Sequence, residues 1–222
     1  VVLAARSQPV SRIQRRTPSA PVSHAQTTWG NSVDLVAIGS STGGVEALEE
    51  VLSGFPQKSP PVVICQHMPP LFTASFANRL NQSMPALSIA EAQDGEVLQP
   101  GMVRIAPGGD RHLVIDNSGG KYITRLISGA PVSGHCPSVD VLFKSVAKHA
   151  GRNALGIILT GMGRDGAEGL LNMRQAGAYT IAQDKTSAVV YGMPRVAAEI
   201  GAACQVVPLR QISSAAMAIH AR

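Results

Sequence analysis

The chain has 222 residues, 45% of them hydrophobic, 15% charged and 4% aromatic, which suits one sizeable core and excludes wholesale disorder or a coiled coil. Its net charge of +5 is gathered at one end: residues 1–30 hold Arg6, Arg12, Arg15 and Arg16 with no Asp or Glu, and taking those four from Lys+Arg 19 leaves 15 against Asp+Glu 14. A nearly neutral body with only Phe 4, Tyr 3 and Trp 1 offers neither a basic face nor a stacking platform, so nucleic acid is not expected as a partner.

Residues 1–32 are rich in Arg, Ser, Gln, Thr and Pro, and Pro9, Pro18 and Pro21 interrupt any helix there. They read as a flexible linker belonging to a longer chain, and the same prolines argue against an amphipathic transit peptide. From Asp34 short apolar runs alternate with helical periodicity, the pattern of successive strand–helix units over a domain at 33–222. Leu35–Ile38 is the first strand, and after Gly43-Gly44 the positions Val45, Leu48, Val51 and Leu52 share one helical face, with Gly54 where a capping glycine belongs. Pro61–Cys65 is a second strand, followed by a helix marked by Phe72, Phe76 and Leu80. Runs apolar on both faces predict a doubly wound, mainly parallel sheet with helices on both sides, an α/β fold.

Between 86 and 130 the runs Val103–Ala106, His112–Ile115 and Tyr122–Leu126 are shorter and separated by glycine turns, which predicts a small antiparallel hairpin excursion. A helix over Ser138–Ala150 capped by Gly151, the strand Leu155–Thr160, a helix to Gly177 and the strand Ala178–Ala182 follow. Pro194 suits the first turn of a short helix, and Ile212, Ala215, Ala216 and Ile219 suit a closing one. No apolar run approaches a membrane span, and the odd, scattered Cys65, Cys136 and Cys204 imply no disulfide framework, so a cytoplasmic protein without membrane insertion is expected.

Three strands run into chemistry. The first enters Gly39-Ser40-Ser41-Thr42-Gly43-Gly44, a G-x-S-x-G spacing in the strand–turn–helix setting of a nucleophile elbow, with Ser41 at its centre. Ser41 or Thr42 as a helix N-cap, or a turn that holds phosphate, are the competing readings. G-x-G-x-x-G, a following Lys and a ribose-binding acid are all missing. The second strand ends in Gln66-His67-Met68-Pro69-Pro70, which brings His67 beside Ser41 if the strands are neighbours; otherwise His67 is a hydrogen-bonded structural residue. The third ends in Gly161-Met162-Gly163-Arg164-Asp165-Gly166, where Asp165 is either a helix cap or the acid that orients an imidazole. Ser, His and Asp at one edge of a sheet are the groups that acyl transfer needs, with Ser41 Oγ expected within reach of His67 Nε2.

These residues, with Ile105-Ala106-Pro107-Gly108, Pro137-Ser138-Val139-Asp140-Val141-Leu142-Phe143, Gln175-Ala176-Gly177-Ala178 and Gly192-Met193-Pro194, resemble the bacterial chemotaxis protein-glutamate methylesterases from about Asp34 to Val207. The resemblance implies a serine hydrolase that removes the γ-methyl esters of glutamates from the cytoplasmic region of chemoreceptors, releasing methanol, and deamidates receptor glutamines. It implies Ser41 as nucleophile, His67 as base, Asp165 as the orienting acid, the Met162 backbone N–H at the oxyanion and Thr42 as a neighbouring hydroxyl. No cofactor is implied, and an N-terminal phosphoacceptor receiver domain upstream is. Arg164 and Gly109 depart from the family pattern. A non-catalytic module binding a phospho-ligand or nucleotide is the alternative. His112 and His135 lack metal-ligand spacing and read as structural, Cys65 as core, and Asp94 and Glu96 as solvated turn charges.

Overall fold

The structure, a computed structural model, describes residues 33–219, so the linker read over residues 1–32 lies outside it. In chain order the elements are β1 (Leu35–Ser40), α1 (Gly44–Ser53), β2 (Val62–Gln66), α2 (Phe72–Ser83), β3 (Ser88–Glu91), β4 (Met102–Ile105), β5 (Arg111–Ser118) and β6 (Lys121–Ser128). Then come α3 (Val139–His149), β7 (Ala154–Ile158), α4 (Ala167–Gln175), β8 (Tyr179–Gln183), α5 (Met193–Glu199), β9 (Gln205–Val207) and α6 (Leu209–Met217). Seven strands pair in the order β3-β4-β2-β1-β7-β8-β9, all parallel. Among the described residues no helix is long and apolar enough to cross a membrane.

The period-two alternation of a strand divides β1 between two cores. Val36 and Ile38 pack with Leu48, Leu52, Phe76, Leu80 and Ile212, the buried stripe of α1, α2 and α6. Leu35 and Ala37 pack with Leu142, Phe143, Leu170, Met173 and Met193 from α3, α4 and α5. With both faces covered, every residue of β1, β2 and β7 is buried. From β1 the chain winds outward through β2 to β4 and β3, then returns to place β7 on the other side of β1. That reversal opens a crevice at the carboxyl edge between β1 and β7, where α/β sheets bind ligands.

The hairpin excursion is smaller than the sequence suggests. Only β5 and β6 form it, closed by Gly119 and Gly120 at φ 60° and 79°, and the hairpin packs Leu113 and Ile115 on the α3 side. The strand at Val103 belongs to the parallel sheet, flanked by β3, which the sequence reading missed together with β9. Both missed strands are short sheet edges, half-exposed, and carry no continuous apolar run. Glu96 is no solvated charge: it takes Arg104 Nε and Nη2 in a bidentate pair, which lets β4 bury an arginine. Phe72 does not face the core either; it is exposed at the first turn of α2.

Gly39 ends the α3-facing row of β1, and a Cβ there would collide with Val139 Cγ1, at the first turn of α3, and crowd Phe143. Gly39→Ala is expected to destabilise the fold by about 1–3 kcal/mol through overpacking against a stiff β-branched neighbour, measured by urea denaturation.

Candidate active site

The register of β1 on β2 sets Ser40 against Gln66, so Ser41 and His67 leave the sheet side by side. The Ser41 N–H donates to Thr160 O at 3.0 Å, tying the turn to the end of β7, and the Gly44 N–H donates to Ser41 O at 2.8 Å. Gly43, at φ 78°, is the N-cap of α1 and no side chain caps the helix, so neither Ser41 nor Thr42 is occupied in capping. Gly161 is small for Ser41's sake: a Cβ there would stand 2.7 Å from Ser41 Cβ. The Ser41 side chain is thereby held at the crevice without being consumed by local structure.

Asp165 does not cap the helix that follows it. Gly166 is the N-cap of α4, and the Asp165 carboxylate instead accepts from the first turn of α3, from Val139 N–H at 2.8 Å and Asp140 N–H at 3.0 Å, and from Ser138 Oγ at 2.8 Å. Its remaining donor is His67 Nε2 at 2.8 Å. Burial raises the carboxyl, but the hydrogen bonds from His67, Asp140, Ser138 and Val139 outweigh that and hold it below its ordinary 3.8. A carboxylate accepts only, so the proton of a neutral His67 sits on Nε2 and the lone pair on Nδ1. This corrects the expectation that Nε2 meets the serine: the basic nitrogen is Nδ1, buried and without a hydrogen-bond partner, and no hydrogen bond joins it to Ser41 Oγ.

Several residues that the sequence reading passed over complete the site. Gln66, quoted only as a neighbour of His67, receives Ser40 Oγ on Oε1 at 2.7 Å and donates from Nε2 to both Ser41 O and His67 O at 2.9 Å. It clips the strand end before Ser41 to the strand end before His67, and Gly44 leaves room for it, since a Cβ there would strike Gln66 Oε1. Its place at the end of β2, one residue before His67, was the only signal in the sequence. His135, read as structural, stacks on the His67 ring, a contact between residues far apart in the chain that no spacing could announce. Asp140 accepts the Gly169 N–H at 2.7 Å and so ties α3 to α4. Burial pushes its carboxyl up from 3.8, the Gly169 bond acts against this, and the charge of Asp165 adds to it.

Met162 is 72% exposed and, among the described residues, nothing accepts its backbone N–H. It follows directly on Gly161, the residue that abuts Ser41, so that N–H is available at the crevice. The Thr42 side chain is exposed, while its carbonyl receives Thr160 Oγ1 at 2.9 Å. Leu71, 87% exposed at a left-handed φ of 75°, Phe72 at the first turn of α2 and Val189 on a loop add apolar surface at the same sheet edge. Arg164 makes an exposed ion pair with Glu168 at 3.0 Å. His112 is structural, as expected: Nδ1 accepts from Ser138 N–H and Nε2 faces Ala130 O. Cys65 is buried in the core, and burial pushes its thiol well up. Among the described residues no group of three or more His, Cys, Asp or Glu is placed to hold a metal ion.

Residues 36–216 match the family model of the CheB methylesterase domain. The chain is 52% identical over 213 residues to a protein-glutamate methylesterase/protein-glutamine glutaminase of Pseudomonas aeruginosa, covering 96% of this chain and 60% of the relative. It is 56% identical over 214 residues to the enzyme of that name from Agrobacterium fabrum, covering 96% and 60%. The chain thus spans about 60% of the length of the curated relatives it matches. The crystal structure of the Thermotoga maritima CheB methylesterase catalytic domain superposes with a TM-score of 0.80 at 39% identity, over 84% of this chain and 98% of that one.

The lowered carboxyl of Asp165 links folding to pH. A carboxyl that ionises more readily folded than unfolded stabilises the fold fully above its ordinary 3.8, and that contribution is lost as pH falls through the lower folded value. Urea midpoints followed downward from pH 6 are expected to fall more steeply for the parent than for Asp165→Asn, which starts lower and lacks this ionisation.

Proposed function

The chain belongs to the CheB methylesterase family, and from that membership we propose that it hydrolyses γ-methyl esters of glutamate side chains on the cytoplasmic region of chemoreceptors and deamidates receptor glutamines. The observation that carries the chemistry is the His67 imidazole, held through Nε2 by an ionised Asp165 and left with an unpartnered lone pair on Nδ1, at the end of the strand that pairs with the one leading into Ser41. We assign Ser41 as nucleophile, His67 as general base and then acid, and Asp165 as the group that orients the imidazole and stabilises its charged form.

Ser41 Oγ attacks the ester carbonyl carbon while His67 Nδ1 takes its proton. The tetrahedral oxyanion is met by the free Met162 N–H, with the start of α1 adding its positive dipole end. Collapse breaks the bond to the methoxy group, which leaves with the proton from Nδ1 as methanol. Water then gives a proton to Nδ1 and attacks the acyl-enzyme; release of Ser41 returns that proton to Oγ and frees the glutamate carboxylate. With glutamine the leaving group is ammonia. We assign the exposed Thr42, next to Ser41 in the chain, to contact with the substrate chain. Cytoplasmic location and a receiver domain joined through residues 1–32 belong to the same proposal, supported by relatives longer than this chain.

Methanol release from a methylated receptor fragment tests it. Ser41→Ala and His67→Ala are each expected to lower kcat by more than about 10³-fold with the fold intact, and undiminished turnover in Ser41→Ala overturns the assignment. Asp165→Ala should keep more activity than either, yet unfold earlier, because it strands the N–H groups of Val139 and Asp140. Calorimetric binding of a nucleotide without any hydrolysis would favour the non-catalytic alternative.

A further inference from the structure

His135 sits on the loop between β6 and α3 and lies flat on the His67 imidazole, ring centroids 3.7 Å apart and planes 12° apart. From this geometry we infer that His135 is a positioning residue for acyl transfer: its ring fixes the plane of the base, keeps water off one face, and while neutral stabilises the imidazolium that forms when Nδ1 takes the serine's proton. The inference rests on Ser41 and His67 being nucleophile and base.

One hydrogen bond to Asp165 holds a single corner of the imidazole and leaves the ring free to tilt about that bond. A parallel ring against its face removes this freedom. The consequence is visible in exposure: the His67 side chain is only 7% exposed, and Nδ1 is buried with no partner. A buried, unsatisfied nitrogen is unfavourable, and it persists here under the cover of His135.

The loop is built to present this ring. Val132 and His135 exchange both backbone hydrogen bonds at 3.0 Å around Ser133 and Gly134, which stand at φ 53° and 79°, a tight turn of the kind that closes two-residue hairpins. A few residues on, Ser138 donates from its hydroxyl to Asp165 and from its backbone N–H to His112. Asp165 therefore anchors His67 directly and the His135 loop through Ser138.

The charged groups that act on His135 are His67 and Asp165. Burial and then the charge of His67 lower it from its ordinary 6.5, against an opposing pull from Asp165. The imidazolium that forms on His67 during acyl transfer thus faces a neutral aromatic ring, a favourable cation–π arrangement. A proton on His135 would instead set two positive rings face to face and weaken the base.

Two substitutions separate these roles: His135→Phe keeps a flat face but cannot titrate, and His135→Ala removes the face. Each is measured for labelling of Ser41 by a fluorophosphonate, for kcat and KM in methanol release, and for titration of the His67 ring by NMR. His135→Ala is expected to lose about tenfold in kcat and labelling rate with KM unchanged, and His135→Phe to recover to within about threefold of the parent. The acid limb of log rate against pH should be steeper than one proton in the parent and reduce to one in His135→Phe, where the His67 resonance follows a single step. A parent-like rate in His135→Ala, or a His135→Phe as slow as His135→Ala, overturns the inference. Loss of methanol release with fluorophosphonate labelling intact would refute the substrate reading alone, leaving labelling and NMR to decide on His135.

Discussion

The Asp165 carboxylate is the point on which three separate pieces of chain converge. It leaves the end of β7, accepts two N–H groups and a hydroxyl from the start of α3, and accepts the imidazole from the end of β2. Burying an ionised carboxylate at 1% exposure is unfavourable unless nearly all of its lone pairs are met, and here four donors meet them. The positive end of α3 adds to the balance. An interaction strong enough to keep this charge buried also sets the tautomer of His67, so stability and chemistry draw on the same group.

Around that charge the sheet supplies position. Parallel strands deliver their carboxyl ends to one edge, and the reversal at β1 leaves a gap between β1 and β7 that the Ser41 and Asp165 turns border. Closeness is achieved by leaving side chains out. Gly39 admits Val139, Gly44 admits Gln66, and Gly161 admits Ser41. Gln66 then spans the remaining distance with hydrogen bonds to the backbone on both sides, so that Ser41 and His67 are aligned by main chain rather than by long flexible side chains.

How much of this was legible in the sequence follows from how local each signal is. Ser41, His67 and Asp165 can be singled out as candidates because each follows an apolar run and precedes a helix, a pattern written within a dozen residues. The helix ends at Ser138 and the Gly119-Gly120 turn were legible for the same reason. The run at Val103 reads as a hairpin strand because it is short and flanked by turns; its parallel partners β2 and β3 lie elsewhere in the chain. His135 on His67, Glu96 on Arg104 and Asp165 on the start of α3 rather than α4 are side-chain contacts set by tertiary packing. Composition and periodicity carry no record of them. Asp165 shows this best: its residue type and its turn were readable, while the helix it serves was not.

The pairing of β1 with β7 joins Leu35 to Ala154 and brings Thr42 O to Thr160 Oγ1, a separation of 118 residues. Contacts of such span raise the contact order and close late, after the loop entropy between them has been overcome. On the ribosome, β1, β2 and the hairpin emerge well before Asp165 does, so the first half of the domain can collect its hydrophobic partners while its serine and histidine still lack their acid. Synthesis thus imposes a sequence in time: the turns that carry Ser41 and His67 are made while the carboxylate that holds the imidazole is still to come, beyond β7.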